Sequence, residues 1–104
     1  MTPEGIIQLQ IIHFLKGIGA VVGKTRTMGV KRGRAFCFDP YTFRGFSDLV
    51  AFYKHKIYFI EVKSPKGKQS DDQKLFQECV EGAGLTYILA RSVDDVLQSI
   101  QKGE

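Results

Sequence analysis

Hydrophobic residues recur at helical spacing near the beginning of the chain. The apolar positions that would share one helix face are Ile7, Ile11, Phe14, Leu15 and Ile18. Ahead of them, Thr2 suits the capping position, Pro3 suits the first helical position, and Glu4 favours the positive end of the helix dipole. Gly17 and Gly19 predict where the helix ends. The pattern therefore predicts a first helix whose broad apolar face packs against the rest of the protein.

Two strongly apolar segments follow in the middle of the chain. They run from Ser47 to Tyr53 and from Ile57 to Lys63, with the polar Lys54-His55-Lys56 between them. This spacing predicts an antiparallel hairpin. In the second segment both alternating sets of side chains are apolar, so that strand is expected to lie centrally and to be covered on both faces. Ala20 to Thr25 predicts a further short strand before the hairpin.

The last third of the chain predicts a helix, a strand and a final helix. Ser70 and Gln73 have the spacing of a capping box that begins a helix extending to about Glu81. The positions of this helix that are expected to face inward are Phe76, Cys79, Val80 and Ala83. Leu85 to Arg91 predicts a buried strand, and Ser92-Val93-Asp94-Asp95 predicts the start of a short helix. The order αβββαβα predicts one α/β domain over residues 1–104, with a mixed sheet flanked by helices.

Length and composition exclude several classes of protein. A chain of 104 residues can build one hydrophobic core, and none of its apolar runs reaches the length of a membrane span. The N-terminal MTPEG lacks the layout of a signal peptide. Cys37 and Cys79 are far apart and have no closely spaced histidine partners, which argues against a disulfide framework and a structural zinc site. We therefore expect a cytoplasmic protein without a membrane segment.

The net charge of +4 is modest but unevenly distributed. The basic residues between positions 16 and 44 are Lys16, Lys24, Arg26, Lys31, Arg32, Arg34 and Arg44, against the single acid Asp39. A segregated positive field attracts polyanions, although a solvated basic face without a partner has the same composition. Residues 26 to 46 are expected to form an extended arm or hairpin that inserts Phe36 and Phe38 into the core.

One group of ionisable residues lies in the most apolar part of the chain. Side chains alternate along a strand, so Glu61 and Lys63 share a face with Ile57 and Phe59, which are expected to be buried. Charged groups in such surroundings cost free energy unless they are paired or bind a metal. The hairpin brings Asp48 back beside them, which makes these residues a candidate site.

The pairing register decides whether this site can form. A two-residue turn at His55-Lys56 would pair Val50 with Glu61, and a four-residue connection would pair Asp48 with Glu61. In both registers the numbers of paired residues sum to an odd number, which places Asp48 and Glu61 on one face of the sheet. An even sum would turn Asp48 to the other face.

Two carboxylates and an ammonium group on one face suit metal-assisted cleavage of a phosphodiester. Carboxylate oxygens hold Mg²⁺ while leaving some of its coordination positions open, and a nearby lysine can offset developing charge. The alternative is a surface salt bridge between Glu61 and Lys63, with Asp48 as a turn residue.

The motifs Gly45-Phe46-Ser47-Asp48 and Ile60-Glu61-Val62-Lys63 resemble the PD-(D/E)xK nuclease signature, as G-x-x-D and E-V-K. Over nearly the whole chain the sequence is similar to the VRR-NUC (virus-type replication-repair nuclease) family. The residues that carry this narrower resemblance are Ile60 to Lys63, Gly67, Ser70 to Gln73, Phe76, Gly84 and Arg91-Ser92. Ser47 departs from the proline of the broad signature. The resemblance implies a restriction-endonuclease-like αβββαβ core.

The resemblance also implies roles for individual residues. It assigns Asp48, Glu61 and the backbone carbonyl of Val62 as ligands of Mg²⁺ or Mn²⁺, and Lys63 as the catalytic lysine. Glu4 matches an acidic residue that completes the metal shell, often through water, although a favourable charge at a helix N-terminus explains it equally well.

Gln73 matches a family glutamine that points into the site. Its alternative role is to form the capping box with Ser70, and the two roles are expected to compete for one side chain.

We therefore predict a structure-selective DNA endonuclease that leaves 5′-phosphate ends and needs no organic cofactor. The resemblance further implies a likeness to Holliday junction resolvases and a homodimeric active form. Branched DNA is the expected substrate, because phosphate contacts carry little sequence information. The residues expected to contact DNA are Lys24, Arg26, Lys31, Arg32, Arg34, Lys66 and Lys68. The alternatives are a nicking enzyme or exonuclease, a non-catalytic nucleic-acid-binding module, and an interaction protein that binds an acidic partner through its basic segment.

Overall fold

The computed structural model describes residues 1–25 and 43–103. The described elements are α1 (Pro3–Gly17), β1 (Val21–Lys24), β2 (Leu49–Tyr53), β3 (Lys56–Val62), α2 (Asp71–Gly82), β4 (Thr86–Ala90) and α3 (Val93–Gly103). This order confirms the predicted αβββαβα arrangement. Residues 26–42 of the arm predicted over positions 26 to 46, including Phe36 and Phe38, lie outside the described ranges. None of the described helices is both long and apolar enough to cross a membrane.

The four strands form one mixed sheet in the order β1-β2-β3-β4. β1, β2 and β3 pair antiparallel, while β4 returns through α2 to pair parallel to β3. β3 thus has a strand on each side, as its uniformly apolar sequence predicted.

The register of the β2–β3 hairpin pairs Leu49 with Ile60 and Tyr53 with Lys56. The connection is a two-residue turn at Lys54 and His55, which have positive φ angles of 48° and 66°. Such a turn matches the right-handed twist of the flanking strands. The turn considered at His55-Lys56 is therefore wrong by one residue, because pairing continues as far as Lys56. Extending the observed register by one residue sets Asp48 opposite Glu61, which is the second of the two registers considered, although the connection has two residues and not four.

The helices cover both faces of the sheet. On one face α1 and α3 pack on the strands around Ile11, Leu15, Ile60, Val96 and Ile100, all of which are buried. The opposite face carries a smaller cluster under α2, and its buried members are Phe76, Val80 and Tyr87. The side chain of Glu61 lies on this second face, since it alternates with Ile60.

Three expected core positions are exposed. Ile57 is 37% exposed, because it is the second residue of β3 and lies at the end of the sheet next to the hairpin turn. Cys79 and Ala83 are also exposed. The buried stripe of α2 runs through Gln73, Phe76 and Val80, so positions 79 and 83 lie at its border and line an apolar groove instead.

Candidate metal centre and active site

Three carboxylates from separate parts of the fold converge at one end of the sheet. Glu4 in the first turn of α1, Asp48 before β2 and Glu61 in β3 each offer an oxygen atom, and these atoms lie within 4.8 Å of one another. Glu61 is almost completely buried, whereas Glu4 and Asp48 are half-buried. Carboxylate oxygens gathered this closely repel one another unless a cation lies between them. The cluster therefore has the composition of a site for a hard divalent cation.

Hydrogen bonds hold both the side chain and the backbone of Asp48. The Oδ2 atom of Asp48 accepts a hydrogen bond of 2.9 Å from the Val62 amide, which ties the side chain to the end of β3. The Asp48 carbonyl accepts from the Thr25 amide at 3.0 Å, and the Thr25 hydroxyl donates to the carbonyl of Ser47. Ser47 is fully buried and its hydroxyl donates to the Leu49 carbonyl. These bonds aim the carboxylate of Asp48 across the hairpin toward Glu61.

The carboxylate of Glu61 is held through one of its two oxygens. The Nε2 of Gln73 donates to Oε2 at 3.0 Å, and the Nζ of Lys63 lies 3.6 Å from the same oxygen. The other oxygen, Oε1, is buried and accepts no hydrogen bond from the described residues. Glu61 is only 1% exposed and the Lys63 side chain 14%, so the ion pair of the alternative interpretation is present but buried, and only its expected location at the surface is wrong.

Gln73 serves two partners at once. Its Oε1 accepts from the Ser70 amide at 2.9 Å while its Nε2 donates to Glu61, and the Ser70 hydroxyl accepts from the Gln73 amide at 3.2 Å. The expected competition between capping and the site is wrong, because a carboxamide has an acceptor at one end and two donor hydrogens at the other. The capping box thus orients the amide that contacts Glu61.

Gly45 brings the segment before Asp48 against the first turn of α2. Its φ angle is +70°, and a Cβ atom at this position would lie only 2.4 Å from the carbonyl carbon of Asp72 and 2.5 Å from the amide nitrogen of Gln73. No side chain fits there. The G-x-x-D motif includes this glycine, but the sequence pattern did not indicate its contact with α2.

Tyr87 borders the acidic cluster on the same face of the sheet. Burial and, to a smaller extent, the negative charges of Glu61, Asp48 and Glu81 raise the pKa of Tyr87 to about 12, against a hydrogen bond from Gln69 that lowers it. The phenol therefore stays neutral and accepts from the Nε2 of Gln69 at 3.2 Å. Nothing in the sequence pattern distinguished this tyrosine from an ordinary core residue.

The described candidates for DNA contact are all exposed lysines. Lys66 and Lys68 lie in the loop that follows Lys63, and Lys24 ends β1 directly before Thr25. The remaining candidates, Arg26, Lys31, Arg32 and Arg34, lie outside the described residues.

We expect substitutions to separate the contact with Glu61 from the capping of α2. Gln73→Leu removes the hydrogen bond to Glu61 together with the one from the Ser70 amide, and contacts that support a metal ligand typically account for about 10–100-fold in metal affinity or activity. Ser70→Ala is the matched control, since it removes only the hydroxyl that accepts from the Gln73 amide, keeps the hydrogen bond from the Ser70 amide to Gln73, and is expected to cost about 1 kcal/mol of stability. Calcium titration measures the metal affinity of both variants, a DNA cleavage assay their activity, and thermal unfolding their stability. Equal loss of cleavage in the two variants would contradict a direct role of the Gln73 amide at Glu61.

The chain resembles known VRR-NUC domains in sequence and in fold. Residues 41–94 match the sequence model of the VRR-NUC domain. One solved structure, described as a VRR_NUC domain, superposes with a TM-score of 0.72 at 23% identity and covers 97% of each chain. This superposition establishes a shared fold. None of the curated proteins matches this chain.

Proposed function

Because the chain belongs to the VRR-NUC domain family, and is thus a nuclease domain of the PD-(D/E)xK type, we propose that it is a metal-dependent, structure-selective DNA endonuclease. Membership of this family confirms the resemblance drawn from the G-x-x-D and E-V-K motifs. The observation on which the proposal rests is that one carboxylate oxygen each of Glu4, Asp48 and Glu61 lies within 4.8 Å of the others. The ammonium group of Lys63 beside Glu61 completes the set.

The donor set fits Mg²⁺ or Mn²⁺. All three converging side chains offer carboxylate oxygens, the ligand type that hard divalent cations prefer, and the backbone carbonyl of Val62 is the proposed fourth ligand. A divalent ion held there lowers the pKa of a bound water and offsets negative charge on the phosphate. Among the described residues the cluster contains carboxylates and no soft ligand, so a thiolate-bound metal does not suit it.

The protein's own residues supply orientation and charge. Gln73 and Lys63 both approach Oε2 of Glu61, which fixes the rotation of that carboxylate toward the cluster. Asp48 is fixed by the amide of Val62. We propose that the Lys63 ammonium orients the attacking water or stabilises the negative charge that develops on the phosphate oxygens. Cleavage between phosphorus and the 3′ oxygen would leave 5′-phosphate and 3′-hydroxyl ends.

Substrate choice is proposed to follow the shape of the DNA. Lys24, Lys66 and Lys68 are exposed cations near the cluster and suit contacts with phosphates, which carry little sequence information. We propose branched DNA, such as a four-way junction, as the substrate and a homodimer as the active form. Two-fold symmetry would place two cutting centres on a two-fold substrate.

A cleavage assay tests this proposal. A four-way junction and linear duplexes of the same sequence and length are incubated with the protein in Mg²⁺, Mn²⁺ or Ca²⁺. We expect cleavage of the junction in Mg²⁺ and Mn²⁺, with 5′-phosphate ends that a ligase can join, and binding without cleavage in Ca²⁺. Equal rates on junction and duplex would contradict structure selectivity. Binding without cleavage in every metal would identify a non-catalytic module.

A further inference from the structure

The loop over residues 64–69 connects two residues of the proposed active site. It follows Lys63 at the end of β3 and leads to Ser70 and Gln73 at the start of α2. Within it the Gly67 amide donates to the Ser64 carbonyl at 3.0 Å and closes a turn. The conformation of this loop therefore affects both Lys63 and Gln73.

One guanidinium group fastens this turn. The Nη1 of Arg91 donates to the carbonyl of Ser64 at 2.6 Å and to the carbonyl of Gly67 at 2.7 Å. Hydrogen bonds from an ionised donor are shorter and stronger than those between neutral groups. Arg91 thus binds both ends of the turn at once, although it is 24 residues or more away in sequence.

The backbone of Arg91 is itself anchored. Its amide donates to Oδ2 of Asp95 at 2.8 Å, and the Asp95 amide in turn donates to the hydroxyl of Ser92 at 3.3 Å, at the start of α3. The preceding residue, Ala90, accepts from the amide of Lys63 at 3.0 Å. The guanidinium therefore projects from a rigid junction that also holds the backbone of Lys63.

The fastened turn lies against the side chain of Lys63. A Cβ atom built on Gly67 would lie 3.5 Å from Cδ of Lys63, so the stem of the lysine passes directly beside the turn. The other end of the loop is held by Gln69, whose Nε2 donates to Oε1 of Gln77 at 3.0 Å. Arg91 controls the part of the loop that touches the lysine.

We propose that Arg91 is a positioning residue, which holds the turn over residues 64–67 so that the Lys63 ammonium stays beside Glu61. The proposal rests on the proposed nuclease function, since it concerns how Lys63 is presented to the scissile phosphate. The proposed role acts through Nη1, which donates to the carbonyls of Ser64 and Gly67.

A double-mutant cycle between Arg91 and Lys63 tests the coupling. Arg91→Met is expected to lower the single-turnover cleavage rate on the order of 10²-fold, the typical effect of displacing a reacting group by about 1 Å. In the Lys63→Met background the same change is expected to cost less than about threefold, because residues that act as a unit are not additive. DNA affinity in Ca²⁺ should stay the same.

Two further variants control for charge and folding. Lys102→Met removes a positive charge from the same groove between β4 and α3, without touching the loop, and should cleave like the wild type. Arg91→Lys keeps the charge and is expected to recover part of the lost rate. Hydrogen exchange of the amides in the 64–69 loop should speed up in Arg91→Met but not in Lys102→Met.

Three results would overturn the proposal: wild-type cleavage by Arg91→Met, equal losses in the two Lys63 backgrounds, or a loss of rate explained by weaker DNA binding. If the wild-type protein cuts no DNA in any metal, the nuclease function fails separately. The exchange comparison then still decides the inference, since unchanged exchange in Arg91→Met would show that Arg91 does not order the turn beside Lys63.

Discussion

Replacing Glu61 by glutamine is expected to lower the rate of DNA cleavage by about three orders of magnitude with little effect on folding. The amide has nearly the same volume as the buried carboxylate, and its oxygen can still accept the hydrogen bond from Gln73. The change removes the negative charge from the ligand set and leaves Lys63 without its anionic partner. A bound metal typically contributes several kcal/mol of transition-state stabilisation. Losing about 4 kcal/mol of it lowers the rate by a factor on the order of 10³.

Single-turnover cleavage in Mg²⁺, calorimetric titration with Mn²⁺ and thermal unfolding measure these effects. Glu78→Gln is the matched control, because it removes one negative charge from an exposed position of α2. We expect the control to cleave and bind Mn²⁺ as the wild type does. Cleavage at the wild-type rate by Glu61→Gln would contradict the proposed mechanism, whatever the result for Mn²⁺ binding.

Substitution of Gly45 by alanine is expected to have the largest effect on stability. The backbone has a φ angle of +70°, and the added Cβ would overlap the Asp72 carbonyl group and the Gln73 amide. The neighbouring atoms belong to the backbone of α2, so they cannot move aside as a flexible side chain would. A strained φ angle and overpacking each cost about 1–3 kcal/mol, so we expect a loss of about 2–5 kcal/mol in the free energy of unfolding.

Substitutions at two other glycines separate the cost of the positive φ angle from the cost of the close contact with α2. Gly84 has a φ angle of +80° with open space around a Cβ atom, so Gly84→Ala measures the cost of the backbone angle alone. Gly82, at the end of α2, has open space and no positive φ angle, so Gly82→Ala should be neutral or stabilising by less than about 1 kcal/mol. Urea unfolding of the three variants gives the comparison. A loss in Gly45→Ala no greater than that in Gly84→Ala would show that the close contact with α2 is absent.

The same contact links stability to the site. Gly45 lies three residues before Asp48 and touches the turn of α2 that carries Gln73. Displacing α2 would move the amide of Gln73 away from Glu61. We therefore expect any folded fraction of Gly45→Ala to cleave more slowly than Gly84→Ala, in which that contact is preserved.

Much of the fold could be predicted because its signals are local. The capping residues Thr2 and Ser70 mark the helix starts through hydrogen bonds to amides three residues away. The hairpin follows from two apolar runs close in sequence. Alternation along the strands then decides whether Asp48 and Glu61 share a face, and both of the hairpin connections considered place them on the same one.

Other features depend on how separate layers meet, which periodicity does not encode. Glu4 reaches the cluster only because α1 packs on the opposite face of the sheet with its first turn at the end of β3. Gln73 can cap α2 and also donate to Glu61 only because α2 is placed on the sheet with its first turn beside Glu61. Ile57 and Cys79 were misjudged for the same reason, since the extent of α2 over the sheet decides which apolar residues it covers.

The sequence by itself determined the order of the elements, the placement of Asp48 and Glu61 on one face of the sheet and the chemical type of the site. Each of these rests on interactions between residues close in the chain or on the alternation of a strand. Tertiary structure alone decided that Glu4 joins the carboxylates, that Gly45 meets α2 and that Arg91 fastens the turn beside Lys63. Those contacts join segments far apart in sequence, and their distances are set by the packing of helices on a twisted sheet.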